Sequence, residues 1–271
     1  MIVVPEDVSA PKKTAQESRV TVQREETELN DPPPLYSEGA DPLPVASTST
    51  SSQTPYPNIK PSNFVYLSTT NTRIRDDWVL DPALVIPRDF LPPLSSGESE
   101  STRKNLSLRC TNGGIQADVF VLPTSAEAIA AKRLRERVLI HASSTNGRIQ
   151  LNIHDSGSRL PLSITAATSN GRLDLYLPRS FNGPLRIKLG NGRLNYSKAV
   201  GAMLTTFSNV RGVRNSYLGP HDVSTLDRDG KWEGDELYAE SSNGSINVYF
   251  DDEATQSSAP SSKPLLKFWP F

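Results

Sequence analysis

The sequence predicts an all-β fold built from repeats: a β-solenoid-like domain, with an antiparallel meander of Asn-Gly hairpins as the alternative. Three observations predict it. The dipeptide Asn-Gly recurs at Asn112, Asn146, Asn170, Asn191 and Asn243. Counted from each Asn, positions −6, −4, +3, +5 and +7 are apolar in every copy except at Lys198, while the intervening positions are almost all polar. That two-residue period is the mark of half-buried strands. The apolar parity also reverses across each Asn-Gly, so no straight strand runs through it and a turn or corner must lie there.

The elements follow in chain order. Residues 1–59 form a Pro/Ser/Thr-rich tail, with nine Pro and thirteen Ser or Thr by residue 57 and neither Phe nor Trp. Such a stretch buries too little apolar surface to offset a backbone ordering cost of roughly 1–2 kcal/mol per residue, and is expected to be disordered. Within it, Pro33, Pro34, Leu35 and Tyr36 match the PPxY pattern bound by WW domains. A Pro-rich segment already populates polyproline II, so docking in an aromatic groove requires little further ordering. Residues 60–253 carry the repeats. Between the first two copies, Thr124 and Glu127 fit a capping box ahead of good helix formers, which predicts one short helix near 125–135. Its Lys132, Arg133 and Arg135, with Arg137, read as a solvated basic face. The long gap between the fourth and fifth Asn-Gly predicts a degenerate repeat around Phe207 to Leu218. Residues 254–271 are a polar linker ending in Leu265, Leu266, Phe268, Trp269 and Phe271, expected to cover an open end of the β structure.

Two geometries satisfy the parity reversal. In a two-residue hairpin, −4 faces +5 and −6 faces +7. In a solenoid, Asn-Gly turns a corner and each strand pairs with neighbouring coils. Both use the ease with which Asn and Gly adopt positive φ.

The segments Phe64 to Leu67, Arg73 to Pro87, Leu91 to Leu94, Arg103 to Leu108, Ser216 to Gly219 and Trp232 to Glu253 carry a resemblance. Together they resemble an uncharacterised fungal family, a domain of unknown function found in basidiomycetes, whose members also carry a Pro/Ser-rich tail with a PPxY-like element. The Asn-Gly repeats are more remotely similar to bacterial adhesin-type β-solenoid domains. Neither resemblance implies catalytic residues.

Charge and motif content narrow the function. Lys plus Arg is 29 against 30 for Asp plus Glu, giving a net charge of −1 and no global pull toward nucleic acid. No run is long and apolar enough to span a membrane, and residues 1–20 hold no apolar signal-peptide core. With the single Cys110, this predicts a cytoplasmic or nuclear protein. His141, His154 and His221 are not spaced as metal ligands, no hydrolase or nucleotide motif occurs, and no cofactor is expected. Cys110, at −2, reads as a small, partly buried residue. The acidic run Asp227, Asp229, Glu233, Asp235 and Glu236 departs from a calcium loop at Gly230 and reads as solvated. Asp118, Asp155 and Asp174 are the carboxylates a glycosidase-type pair would draw on. The most specific surface feature is Arg148, Arg172 and Arg193 at +2 of three copies successive in sequence, with Arg73 after Asn71: a possible anion-binding row if the copies stack. The expected function is a non-enzymatic β scaffold recruiting a WW-domain partner, such as a ubiquitin ligase. The alternative is a carbohydrate-binding or carbohydrate-acting solenoid.

Overall fold

The structure is a computed structural model, and it describes residues 56–95, 97–124, 136–155, 157–220 and 232–253. The chain divides into two units, Met1–Ser51 and Ser52–Phe271, and all described residues belong to the second. The PPxY element, the expected helix at 125–135 and the apolar segment 265–271 lie outside the described residues.

The described chain is mostly β. In order it forms β1 (Val65–Thr69), β2 (Ile74–Leu80), β3 (Leu106–Cys110), β4 (Ile115–Val121), β5 (Val138–Asn146), β6 (Ile149–Asp155), β7 (Leu162–Asn170), β8 (Leu173–Leu177), β9 (Gly183–Asn191) and β10 (Leu194–Tyr196). Then come a short helix α1 (Lys198–Met203), β11 (Leu204–Val210), β12 (Val213–Leu218), β13 (Glu236–Asn243) and β14 (Ile246–Phe250). The strand before each of the five repeated Asn-Gly dipeptides (Asn182-Gly183, which opens β9, is outside the pattern) joins an eight-stranded sheet ordered β1-β3-β5-β7-β13-β9-β12-β11. The strand after it joins a six-stranded sheet ordered β10-β14-β8-β6-β4-β2. Neither sheet closes into a barrel.

This corrects the hairpin alternative. β3 and β4 flank one Asn-Gly yet lie in different sheets, and each pairs in parallel with the matching strand of the next copy. The face shared by −4 and +5 is a core enclosed between two sheets rather than one side of a ribbon. The alternating strands fill it: β4, β5 and β7 run buried and half-buried by turns, and one cluster from Ile74 to Phe250 draws on both sheets. The predicted inward positions are buried in four of the five copies. In the fourth, Leu194 and Tyr196 are half-buried and Lys198 is exposed where it starts α1, because β10 is the edge of its sheet.

Two features depart from a simple succession of copies. The segment Phe207 to Leu218 is not a degenerate repeat. It belongs to the antiparallel hairpin β11–β12, closed by Arg211 and Gly212, both at positive φ (51° and 79°), as a two-residue turn between in-register strands requires. The last copy is also displaced. β13 lies between β7 and β9, in register with both, and β14 lies between β8 and β10. The last two of the described strands thus occupy interior places in their sheets. Among the described residues, no helix is long and apolar enough to cross a membrane.

Candidate functional site

The Asn-Gly corners stack in one column. Asn112, Asn146, Asn170, Asn243 and Asn191 each donate a side-chain amide hydrogen to the preceding Asn oxygen, at 2.9–3.1 Å, starting from Asn71. Each interior amide donates to one neighbour and accepts from the other, so the ladder ties successive corners together.

The glycine that follows has a reason beyond the one expected. No Asn of the column has positive φ, and among its glycines Gly192 and Gly244 do (158° and 155°) while Gly113, Gly147 and Gly171 do not. The demand is space: a Cβ on Gly147 would meet the Gly113 carbonyl oxygen at 2.0 Å, and one on Gly171 the Gly147 oxygen at 2.1 Å. Those carbonyls also accept hydrogen bonds from the −2 side chains, Ser144 to Gly113 at 2.9 Å and Thr168 to Gly147 at 3.2 Å. Cys110 is the same position in its copy. Its buried free thiol donates to the Thr72 carbonyl at 3.4 Å, which explains a small polar residue there.

The arginines at +2 are not contiguous in space. Backbone hydrogen bonds order that column as Arg73, Gly114, Arg148, Arg172, Ser245 and Arg193, so the displaced last copy separates Arg193 from the other two. Arg148 and Arg172 converge on the fully buried carboxylate of Asp174, at 2.6 and 2.7 Å, and Asn247 donates to it at 2.8 Å. Two cations thus share one internal anion, which the Asn247 amide also helps to hold.

The outer face of the six-stranded sheet carries an in-register row, Asp77, Asp118, Asn152, Tyr176 and Tyr249. Asp118 accepts from Asn152 at 2.7 Å, and the two Tyr rings stack at 4.8 Å. His154 stacks on Phe120 and sits between Asp118 (3.6 Å) and Asp251 (3.4 Å). Those carboxylates, Asp118 first, raise its pKa to about 9 against the desolvation that would lower it. The same contact holds Asp118 below the usual carboxylate range, whereas burial and the facing Asp118 push Asp77 up. Because the folded pKa of His154 exceeds its unfolded value of 6.5, its stabilisation is complete below pH 6.5 and is lost as pH rises through about 9. Thermal melts from about pH 6 to pH 10 should therefore show a decline that His154→Gln flattens. A parallel decline in the variant would show that His154 stays neutral.

Asp155 and Asp235 meet at a third place. The buried Arg159 guanidinium bonds Asp155 at 2.6 Å and Asp235 at 2.8 and 3.0 Å, and Ser180 also donates to Asp155. Asp235 is therefore a buried structural carboxylate rather than part of a solvated acidic loop. Glu236 pairs with Arg137 at 2.9 Å, Glu233 is exposed, and Asp227, Asp229 and His221 lie outside the described residues. The three carboxylates Asp118, Asp155 and Asp174 thus each have their own cationic partner. Sequence reasoning missed Arg159, Asp77 and Asp251, which fall outside the repeated polar positions or at their margins.

The outer face of the eight-stranded sheet holds a trough of about 380 Å³ near the corner column, lined mainly by Ser and Thr with Arg109 and Glu240. His141 is half-buried on this sheet, and burial, then the charge of Arg109, push its pKa down to about 4.

No curated protein and no solved structure matches the chain. One family model, described as Domain of unknown function (DUF7330), matches residues 63–253.

Proposed function

We propose that this chain, which belongs to the DUF7330 family, is a non-enzymatic interaction scaffold: a β-solenoid domain displayed behind an N-terminal arm that recruits a WW-domain partner. The solenoid reading is supported by the Asn ladder and by in-register parallel pairing of each copy with its spatial neighbours. The observation that carries the scaffold reading is the mutual engagement of the charged side chains. Asp174 with Arg148 and Arg172, Asp235 and Asp155 with Arg159, and His154 with Asp118 and Asp251 are committed to one another as structural pairs. A reducing cytoplasmic or nuclear setting belongs to this reading, and the buried free thiol of Cys110 is compatible with it.

The arm supplies the recruiting element through Pro33, Pro34, Leu35 and Tyr36, where the Tyr ring offers an apolar face with a polar tip to an aromatic groove. The full chain is expected to capture isolated WW domains in a pull-down, and Tyr36→Ala to weaken capture by about tenfold or more. Equal capture by both forms would remove the recruitment reading. The second reading, carbohydrate binding, is favoured by one observation: the hydroxyl-lined trough on the open face of the eight-stranded sheet.

A further inference from the structure

The trough is built from differences between copies. Its central row, in register across the sheet, reads Arg109, Ser143, Ala167 and Glu240. Two small residues stand between two long ones, so the floor is low and the walls are high. Adjacent strands lie about 4.8 Å apart, which puts the wall backbones roughly 14 Å from each other. The side nearest the corner is hydroxyl-bearing, with Thr145, Ser169 and Ser242.

The two walls are not equivalent. Glu240 is fully answered: it accepts from Lys188 at 2.7 Å and from the Tyr238 hydroxyl at 2.6 Å. Arg109 is not. Among the described residues no carboxylate pairs with it, and its Nε is shielded from solvent without a hydrogen-bond partner. Its guanidinium lies over the Tyr66 ring at 5.9 Å, which orients the group without neutralising it. Arg214 Nε is shielded and unpaired in the same way, but of the two only Arg109 borders the trough, where it stands as an uncommitted cation.

We propose that the trough binds an acidic saccharide, with a uronate carboxylate on Arg109 and sugar hydroxyls on the Ser and Thr side. This rests on the carbohydrate-binding reading and names its ligand class. A single free cation answers one carboxylate, and a volume of about 380 Å³ is that of a small-molecule site rather than of a bare inorganic anion. Glu240 is already paired with Lys188 and Tyr238, so the ligand is fixed by one carboxylate on Arg109 while its sugar hydroxyls face the Ser and Thr side. Hydroxyl side chains donate and accept, as sugar hydroxyls do.

The experiment is calorimetric titration of the full chain with trigalacturonate, its methyl ester and inorganic phosphate. Trigalacturonate is expected to bind, the ester and phosphate to bind much more weakly, and Arg109→Gln to weaken trigalacturonate by about tenfold or more. Ala167→Phe, which raises the floor and keeps Arg109, should abolish binding. Arg186→Gln, a cation outside the trough, and Tyr36→Ala, in the arm, should leave it unchanged, so this proposal and the recruitment reading fail separately. Thermal melts of each variant establish that it is folded. Absence of trigalacturonate binding, equal binding by the ester, undiminished binding by folded Arg109→Gln, or phosphate alone matching trigalacturonate would each overturn the proposal.

Discussion

Gly171→Ala is expected to lower the stability of the protein by about 3 kcal/mol, at the upper end of what overpacking a close-packed site costs. The added Cβ would lie 2.1 Å from the Gly147 carbonyl oxygen and 2.7 Å from its carbon, both backbone atoms of the neighbouring rung. No rotamer change relieves a contact with backbone. The rungs would have to separate, and the backbone hydrogen bond from Gly147 N–H to the Asn170 carbonyl (3.1 Å) and the Asn170–Asn146 side-chain hydrogen bond (2.9 Å) oppose that separation. Gly201→Ala is the matched reference. Nothing lies within 4 Å of its added Cβ, and it sits in α1, where Ala is favoured over Gly by up to about 1 kcal/mol. Urea unfolding should move the two midpoints in opposite directions. An unchanged midpoint for Gly171→Ala would mean that the corners spread freely and that the glycine column is not set by backbone contact.

Asp235→Ala should be at least as damaging, by about 3–5 kcal/mol, the range for removing one partner of a buried ion pair. Asp235 and Arg159 keep only 7% and 6% of their side chains exposed. Besides Arg159, Asp235 accepts from the backbone N–H of Leu162 at 2.8 Å and of Asn182 at 3.1 Å. It therefore ties the entry of β13 to the start of β7 and to the residue before β9, the strands on either side of the displaced copy. Truncation leaves a buried guanidinium with Asp155 as its only carboxylate, and two backbone donors unanswered. The triple change Asp155→Asn/Arg159→Met/Asp235→Leu should recover part of the loss, because it removes all three buried charges, while the Leu162 and Asn182 N–H groups stay unanswered. A single variant within about 0.5 kcal/mol of the parent chain would put Asp235 among ordinary surface positions and refute the argument.

How much of this was legible follows from which signals are local. Alternation along a strand is local, and it placed Leu106, Leu108, Ile115 and Val119 in the core together with their counterparts. The parity reversal is local as well, and it located the corner. The choice between hairpin and stacked strands is not, since both put −4 and +5 on one apolar face. The reason for glycine at +1 was read only in part: positive φ holds at Gly192 and Gly244, whereas the carbonyl of another copy, remote in sequence, that also excludes a Cβ was not visible. The arginine column was read in chain order, whereas space interposes Ser245 between Arg172 and Arg193. Copies with the same pattern are interchangeable as far as periodicity goes, so nothing in it reports the order in which they stack. Arg109 escaped for the opposite reason. Position −3 holds Arg109, Ser143, Ala167, Lys188 and Glu240, a column with no shared chemistry, and a site made of contrasts leaves no periodic trace.

The place of β13 and β14 has a consequence for biosynthesis. A ribosome releases β9 and β10 well before the strands that will separate them from β7 and β8. Leu237 faces Ile164 on one side and Leu185 on the other, so β9 offers β7 the same register in the absence of β13 as it offers β13 when the chain is complete. The nascent chain can therefore close a shorter stack first, with every strand in register, and must part it to admit the final rung. Chain order and spatial order disagree at β13, as they do at β12 between β9 and β11, and a stack closed early would be completed by insertion rather than by extension.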